Sequence, residues 1–186
     1  FHDTDIKNKY VCNFNSPAFN EKTKFKLELT RMALRMGYTV VVTDLDEFYS
    51  ENPLEHIKCG KDCDFAIQDN NNSKTEVKQL NSGFMYLKPN ERTLKLYDEL
   101  DKRIKTFFKD DQSLFNDIVY LDIIKGLQFQ VLPTHTFCVG HSPVTNCIVY
   151  HANFAVGLDS KRKRLSVHQM WKVGTSEENR FKCRVN

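Results

Sequence analysis

Residues 37–46, GYTVVVTDLD, are the most informative part of the sequence. Their centre, residues 39–43, is a continuous run of β-branched side chains, which is typical of a central strand buried on both faces in a parallel sheet. Gly37 precedes the run and suits the C′ position of a preceding helix. Charged side chains begin at Asp44, where the strand is expected to end. The stretch therefore predicts a helix, a buried strand and a polar site at the carboxyl end of that strand.

Helices and strands are predicted to alternate on both sides of this strand. Apolar residues recur at helical spacing within residues 23–36. They are Phe25, Leu29, Met32 and Met36. Residues 1–22 are polar without a period, so an irregular N-terminal segment is expected there. Further strands are predicted at 64–68, 83–87, 129–131 and 148–150, and helices after Asn90 and Asp110. This alternation indicates one α/β domain over residues 1–186, with a mostly parallel sheet flanked by helices.

Composition and charge exclude several classes of protein. Hydrophobic residues make up 40% and charged residues 27% of the chain, which is typical of a globular domain and unlike a disordered one. A net charge of +3 is too small to indicate nucleic acid or an anionic membrane as the main partner. No window approaches about 18 consecutive apolar residues, so no transmembrane helix is expected. The opening residues FHDTDIKNKY do not resemble a signal peptide, so a targeting segment would have to lie outside this sequence.

The even number of cysteines favours disulfide bonds, with reduced buried thiols as the alternative. The cysteines are Cys12, Cys59, Cys63, Cys138, Cys147 and Cys183. Two spacings are suggestive: the pair at 59 and 63 would close a tight loop, and the pair at 138 and 147 brackets a loop with Gly, Pro and Asn. A zinc site is less favoured because the sequence has no CxxC pair. The sequon Asn71-Asn72-Ser73 lies in a polar run and fits a glycosylated surface loop of a secretory protein.

Asp44 and Asp46 form the clearest candidate for a site. In open α/β sheets, ligands bind in the crevice outside the carboxyl ends of the strands. Extended backbone sends residues i and i+2 to the same side, so both carboxylates can face one site. Two carboxylates suit Mg²⁺ or Mn²⁺, which also bind substrate phosphates. The alternative is a turn at the strand end with two solvated carboxylates.

Six segments follow one another in a characteristic order between Thr23 and Leu165. They are GYTVVVTDLDEFYSENPL, FAIQDN, LNSGFMYL, DDQSLFN, VLP and VYHANFAVGLDSKRKRL. Together they resemble the nucleotide-diphospho-sugar transferases of glycosyltransferase family 77. The resemblance implies the GT-A fold, a Rossmann-like, mostly parallel sheet flanked by helices. It also implies a hexosyl- or pentosyltransferase that moves a sugar from a nucleoside diphosphate, with UDP expected, to an acceptor hydroxyl with retention of anomeric configuration.

The resemblance further implies a metal site built from three residues. Asp44 matches the first aspartate of the family's DxD motif and is expected near the ribose and the metal. Asp46 matches the last aspartate, a direct metal ligand. His151 matches the histidine that completes the site, and neutral imidazole is a good ligand for Mn²⁺ beside carboxylates. The alternative for His151 is a hydrogen-bonded structural histidine at a strand end, and the expected cofactor is Mn²⁺ or Mg²⁺.

Other segments match the family's donor site. Asn81, Ser82 and Gly83 resemble a turn that faces the donor sugar, in which glycine lets the backbone approach the ligand closely. The alternative is a plain turn that leads into the next strand. Asp111 and Gln112 match a pair that contacts the donor sugar or the acceptor, with an N-capping turn as the alternative.

Lys161 matches a lysine that helps to neutralise the diphosphate leaving group in the family. A cation at that position stabilises the charge that develops as the glycosyl bond breaks. The alternatives for this basic run are a solvated face or a general patch for polyanions, and one of these is expected for Arg162 and Arg164.

A non-catalytic function remains open as the alternative. Family members usually place a strand, a helix and a second strand before the segment that matches Thr23, whereas 22 residues precede it here. The chain would then be a GT-A-like binding or structural module of a secreted protein. As an enzyme, it is expected to meet a nucleotide-sugar donor and a glycan or glycoprotein acceptor, in the Golgi lumen or after secretion.

Overall fold

The computed structural model describes residues 17–70, 79–107 and 109–171. The helices of this part of the chain are α1 (Pro17–Arg35), α2 (Glu91–Thr106), α3 (Asp111–Tyr120) and α4 (Leu158–Val167). The strands are β1 (Val40–Thr43), β2 (Glu47–Tyr49), β3 (Phe65–Asp69), β4 (Leu80–Leu87), β5 (Phe129–Leu132), β6 (Phe137–Val139) and β7 (Val149–His151). A short 3₁₀ helix covers Pro53–His56. None of the described helices is long and apolar enough to cross a lipid bilayer.

The strands form two sheets. The order is β1-β4-β3-β5 in the larger sheet and β2-β7-β6 in the smaller one. Strands β1, β3 and β5 run in the same direction, whereas β4 runs antiparallel to both of its neighbours. Three of the four strands therefore share the expected direction, although two of the three neighbouring pairs are antiparallel. The predicted α/β class is confirmed.

The larger sheet separates two apolar layers. On one face, Phe65 and Ile67 of β3 and Met85 of β4 pack in one cluster with α1, α2 and α3. On the other face, Ala66 and Phe84 pack against residues of the smaller sheet. Because successive side chains of a strand point to opposite faces, β3 and β4 supply both layers at once. These two strands form the buried centre of the fold.

The β-branched strand β1 does not occupy that centre. Among the described strands it pairs only with β4 and therefore lies at the edge of the larger sheet. Val42 is buried, but Val41 is 38% exposed. The prediction of a central strand buried on both faces was wrong, because β-branched residues favour any pleated, half-buried surface and not the centre of a sheet in particular.

Helix α1 buries a different face from the one that its apolar spacing predicted. The predicted stripe is between 54% and 69% exposed, and it comprises Phe25, Leu29, Met32 and Met36. The residues that face the core are Leu27, Thr30 and Leu34. The helix also begins at Pro17, so residues 17–22 are helical and not irregular. Proline at the first helical position is a start signal that a count of apolar spacing does not detect.

Three predicted helix boundaries are confirmed. Gly37 has a φ of +85°, as expected for the residue that ends a helix. Asn90 caps α2 in a capping box, in which its side chain accepts from the Thr93 N–H and the Thr93 side chain accepts from the Asn90 N–H. Asp110 caps α3 by accepting a hydrogen bond from the backbone of Ser113.

Both disulfide bonds suggested by cysteine spacing are present. They join Cys59 to Cys63 and Cys138 to Cys147. Cys12, Cys183 and the sequon at residues 71–73 lie outside the described residues. Closing loops of this size stabilises a fold by about 2–3 kcal/mol for each bond in the chain-entropy model.

Candidate functional site

Three segments converge at the carboxyl end of β1. Asp44 follows β1 directly, and its backbone N–H donates to the carbonyl of Gly83 on β4 at 2.8 Å. Asp46 precedes β2, which pairs antiparallel with β7. The carbonyl of Asp46 accepts from the N–H of Ala152 at 2.9 Å, immediately after His151 ends β7. The backbone pairing therefore brings His151 beside both aspartates.

The side chains of Asp44, Asp46 and His151 form one cluster. One ligand atom from each residue lies within 4.8 Å of the other two. Nε2 of His151 is 3.5 Å from Oδ1 of Asp46 and 3.8 Å from Oδ2 of Asp44. Residues 45 and 46 lie in a turn, and not in the extended backbone that the spacing predicted. The turn nevertheless directs both carboxylates to one point, so the three residues predicted to ligate a metal lie together.

Gln68 on β3 lies beside the ring nitrogen of His151 that faces away from the aspartates. Nε2 of Gln68 donates to the carbonyl of Cys138 at 2.9 Å, which leaves its Oε1 as an acceptor 3.3 Å from Nδ1 of His151. If the oxygen of Gln68 accepts the proton of Nδ1 in a neutral imidazole, Nε2 presents its lone pair to the carboxylates. Two carboxylates and a lone pair repel one another unless a cation lies among them. This set of oxygen and nitrogen donors fits a divalent metal ion.

Each aspartate directs its second oxygen to a lysine. Nζ of Lys161 on α4 lies 2.7 Å from Oδ2 of Asp46, and Nζ of Lys26 on α1 lies 3.1 Å from Oδ1 of Asp44. Burial alone would raise the pKa of Asp46, but His151, when its ring is protonated, and then Lys161 hold that pKa well below its ordinary range. Asp46 is therefore ionised at neutral pH, as a metal-ligating carboxylate has to be.

Lys26 is a candidate functional residue that the sequence analysis missed. Besides Asp44, its Nζ contacts Oδ2 of Asp111 at 2.9 Å and the carbonyl of Ser82 at 3.4 Å. Burial would lower the pKa of Lys26, but the charges of Asp111 and Asp44 raise it overall. One lysine thus joins α1, the end of β1 and the start of α3. No local pattern marks it, because its partners come from distant segments of the chain.

The start of α3 is fastened to β4 beside the cluster. Ser82 Oγ donates to Oδ2 of Asp111 at 3.3 Å, and the Ser82 N–H donates to Oε1 of Gln112 at 3.2 Å. Asn81, Ser82 and Gly83 lie within β4, so the turn expected at these residues was wrong. The resemblance identified a segment next to the cluster of Asp44, Asp46 and His151 but assigned it the wrong local structure.

His151 packs closely on the backbone at Gly83, whereas the predicted approach of this backbone to a ligand stays a prediction. A Cβ at position 83 would lie 2.3 Å from Cε1 and 2.6 Å from Nδ1 of the imidazole. Real Cβ atoms essentially never come this close to another heavy atom, so the ring can pack on the backbone only where residue 83 is glycine. Gly83 therefore makes room for one of the three clustered side chains.

Buried amides hold the segment that follows His151. Oδ1 of Asn70 accepts from Nδ2 of Asn81 at 2.8 Å and from Nδ2 of Asn153 at 2.9 Å. Oδ1 of Asn81 accepts from the Gly83 N–H, and Oδ1 of Asn153 accepts from the Gly140 N–H, both at 2.7 Å. The network ties the ends of β3, β4 and β7 together. A contact from Asn81 to a sugar hydroxyl stays a prediction.

Glu47 is a further buried carboxyl beside the cluster. Its Oε2 accepts from Oγ1 of Thr43 at 2.7 Å and from the hydroxyl of Tyr49 at 2.5 Å. Its Oε1 has no hydrogen-bond partner among the described residues and lies 3.8 Å from Nδ1 of His151. Burial raises the pKa of Glu47 to about 7. The sequence analysis did not single out this residue, although it directly follows Asp46.

The two arginines of the basic run on α4 have different environments. Arg164 donates to the carbonyl of Asn153 and lies against Gly140, where a Cβ would collide with its Nη1. Arg162 lies over the ring of Trp171, 5.3 Å from the centroid. The prediction of a solvated face was wrong for Arg164, which fixes the backbone next to the cluster of Asp44, Asp46 and His151.

Two kinds of sequence comparison place the chain among sugar transferases. A family model described as nucleotide-diphospho-sugar transferase matches residues 1–165. The beta-arabinofuranosyltransferase RAY1 of Arabidopsis thaliana is 28% identical over 110 residues, which are 57% of this chain and 20% of that protein. The arabinosyltransferase RRA2 of the same plant is 26% identical over 120 residues, 51% of this chain and 27% of that protein. The matched regions span a minor part of either relative.

A solved structure agrees with the fold. A glycosyltransferase involved in the glycosylation of the major capsid of PBCV-1 matches with a TM-score of 0.57 over 87% of this chain and 80% of that chain. Its sequence identity is 11%, so the likeness concerns the fold alone. The family model begins at residue 1 and thus extends the similarity to residues 1–22, which the resemblance in sequence had not covered.

Proposed function

Because the chain belongs to the nucleotide-diphospho-sugar transferase family, we propose that it moves a sugar from a UDP-sugar to an acceptor hydroxyl. The observation that supports this reaction is the convergence of Asp44, Asp46 and His151 on one point. A substrate of this class carries a diphosphate, and a divalent cation is the usual bridge between carboxylates and phosphate oxygens. We therefore assign the cluster to Mn²⁺ or Mg²⁺.

The cluster has the donor atoms that such an ion needs. Oδ1 of Asp46, Oδ2 of Asp44 and Nε2 of His151 would be the ligands, since the other carboxylate oxygens contact lysines. When bound, the ion supplies a Lewis acid for the leaving diphosphate and a template for the donor. Three protein ligands leave the remaining positions to phosphate oxygens and water.

Two lysines flank the proposed diphosphate site. We assign to Lys161 the neutralisation of charge on the leaving group, because it already lies at 2.7 Å from the ligand Asp46. Lys26 forms ion pairs with Asp44, the other proposed ligand, and with Asp111, and these pairs keep both carboxylates in place. The site thus carries positive charge on both sides of the expected phosphates.

Asp111 and Gln112 are proposed to position the donor sugar or the acceptor. The Asp111 side chain is 8% exposed and ion-paired with Lys26, which makes it a poor covalent nucleophile and a good positioning group. Gln112 uses its oxygen for the Ser82 N–H, so its NH₂ end is the part that meets a hydroxyl. We therefore propose retention by attack on the face that the phosphate leaves, in line with the resemblance to glycosyltransferase family 77. Detection of a stable glycosyl-enzyme intermediate would contradict this mechanism.

The substrates and compartment follow from separate observations. Both curated relatives are named as arabinosyltransferases, so UDP-arabinose is the first donor to test, with a glycan or glycoprotein as acceptor. The two disulfide bonds support folding in an oxidising compartment, and we propose the lumen of the secretory pathway or the extracellular space.

The decisive experiment is calorimetric titration of UDP into the protein with and without Mn²⁺. We expect binding that requires Mn²⁺ and is lost in Asp46→Asn and His151→Ala. Asp117→Asn, an aspartate on α3 that pairs with Lys109, is the matched control and should bind like the wild type. Binding that is indifferent to Mn²⁺, or that survives in Asp46→Asn, would refute the metal site.

Donor hydrolysis then separates an enzyme from a binding module. Release of UDP from a UDP-sugar in the presence of Mn²⁺, absent in Asp46→Asn, is expected of a transferase. Mn²⁺-dependent UDP binding without release from any UDP-sugar would instead support the non-catalytic GT-A-like module.

A further inference from the structure

Gln68 is a fully buried amide near the carboxyl end of β3. Its side chain is 0% exposed, and an amide in such a place costs free energy unless both of its ends are hydrogen-bonded. The Cys138 carbonyl can only accept, so it takes the NH₂ end of Gln68 at 2.9 Å. The oxygen end therefore has to face His151, at 3.3 Å from Nδ1.

The local strand pairing aims Gln68 in this direction. The register between β3 and β4 shifts between Ile67, which pairs with Met85, and Gln68, which pairs with Asn81. Residues 82–84 of β4 therefore lie between the two registers, and the His151 ring packs on this stretch at Gly83. Irregularities of this kind bend a strand and redirect a side chain. The register shift therefore leaves a place beside residues 82–84 of β4 where the side chains of Gln68 and His151 meet.

Glu47 offers the competing acceptor for the same ring nitrogen. Its Oε1 is 3.8 Å from Nδ1 of His151, which is longer than a hydrogen bond. Its Oε2 is already occupied by Thr43 and Tyr49. Gln68 is therefore the nearer acceptor for the ring proton.

We propose that Gln68 is the positioning residue of the metal centre, because it keeps the ring proton of His151 on Nδ1 and aims the Nε2 lone pair at Asp44 and Asp46. Without this acceptor the proton moves to Nε2, where it donates to the carboxylates and occupies the place of the metal. The inference rests on the proposed metal site for its purpose, but the position of the ring proton is measurable in protein without metal.

The first test is the ¹⁵N NMR spectrum of the His151 ring in metal-free protein, recorded at a series of pH values so that the neutral ring is observed. Gln68→Met keeps the side-chain length but removes the acceptor. Gln130→Met on the neighbouring strand β5 is the matched control, because Oε1 of Gln130 has no hydrogen-bond partner among the described residues. We expect the proton on Nδ1 in the wild type and the control, and on Nε2 in Gln68→Met.

The second test is the affinity for Mn²⁺ alone, measured by calorimetry in the same proteins. Loss of an outer-shell partner of a ligating histidine typically weakens metal binding about 10–100-fold, and we expect a loss of this size in Gln68→Met. Gln130→Met should bind Mn²⁺ like the wild type. Gln68→Glu retains an acceptor oxygen, so it should keep the Nδ1 proton and rescue most of the affinity.

The outcomes separate this inference from the proposed function. A wild type that does not bind Mn²⁺ would contradict the metal site, while the ring spectra would still decide the role of Gln68. A proton that stays on Nδ1 in Gln68→Met would overturn the inference. If Gln68→Met does not fold, Gln68→Glu tests the same inference. A proton on Nε2 of His151 in that variant would overturn the inference as well.

Discussion

The imidazole of His151 rests on the backbone of Gly83 so closely that a Cβ at residue 83 would lie 2.3 Å from its Cε1. The backbone of Gly83 is not in the left-handed region, so an alanine is excluded by the ring and by Oδ1 of Asn81, and not by the main chain. The position of His151, a proposed metal ligand, therefore depends on residue 83 being a glycine without a side chain.

Gly83→Ala is expected to push the His151 ring away from the two aspartates. The overpacking should lower the free energy of unfolding by about 1–3 kcal/mol, and Mn²⁺ affinity should fall with it. The loss should shrink in the His151→Ala background, and the difference is the coupling between the two residues. Urea unfolding of the four proteins measures this coupling. Gly60→Ala is the control, since its new Cβ would meet nothing within 4 Å; equal losses in both glycine variants would contradict the contact.

Lys26→Met is expected to leave a buried charge without its partner. The Asp111 side chain is 8% exposed and ion-paired with Lys26, so we expect the free energy of unfolding to fall by about 3 kcal/mol. Asp111→Asn in the same chain removes the stranded charge and should recover part of the loss. A double-mutant cycle by urea unfolding measures the recovery, and strictly additive effects would show that the pair is not coupled.

The free energy of unfolding should depend on pH because of Asp64. This carboxylate is 1% exposed and accepts from Arg92, Asn90 and the Gln128 N–H. Burial would raise the pKa of Asp64, but Arg92 and the other donors lower it overall. A lowered pKa adds stability that is present above the unfolded-state pKa of about 3.9 and is lost as the pH falls through the folded-state pKa.

Asp64→Asn is therefore expected to cost about 2–3 kcal/mol at neutral pH and progressively less below about pH 4. Chemical unfolding at a series of pH values measures the gap between variant and wild type. Asp62→Asn, an exposed neighbour, should leave stability almost unchanged at every pH. A gap that stays constant into acid would mean that the charge of Asp64 contributes nothing.

Arg164→Ala is expected to destabilise the protein more than Arg162→Ala. Arg164 bonds the carbonyl of Asn153, and loss of a charged, part-buried hydrogen bond costs about 1–2 kcal/mol. Arg162 on the same helix makes a cation–π contact with Trp171, worth about 0.5–1 kcal/mol at an exposed site. Thermal unfolding compares the two variants. A lower melting temperature for Arg162→Ala than for Arg164→Ala would contradict the prediction.

Features that depend on neighbours in the chain were predictable from the sequence. Gly37, Asn90 and Asp110 end or begin helices through their own side chains or backbone freedom, and all three boundaries are confirmed. The pair Asp44 and Asp46 was recognisable because a strand leads directly into it. These features need no knowledge of the rest of the fold.

Features that depend on distant contacts were not predictable in this way. The buried face of α1 contains Thr30, whose hydroxyl bonds the carbonyl of Lys26, so a search for apolar spacing selected the opposite face. β4 contains the polar residues Asn81 and Ser82 near its start, and their partners lie on other segments. A polar residue in a core is recognisable only when its hydrogen-bond partner is known.

The disulfide bond at Cys138 adjoins the hydrogen bond that holds Gln68 beside His151. Cys138 is bonded to Cys147, and the carbonyl of the same Cys138 anchors the amide of Gln68. Closing that loop restrains the backbone from which the anchor projects. Metal loading is therefore expected to follow disulfide formation during maturation, and protein prepared in a reducing cytosol should take up Mn²⁺ poorly until an oxidant closes the bond.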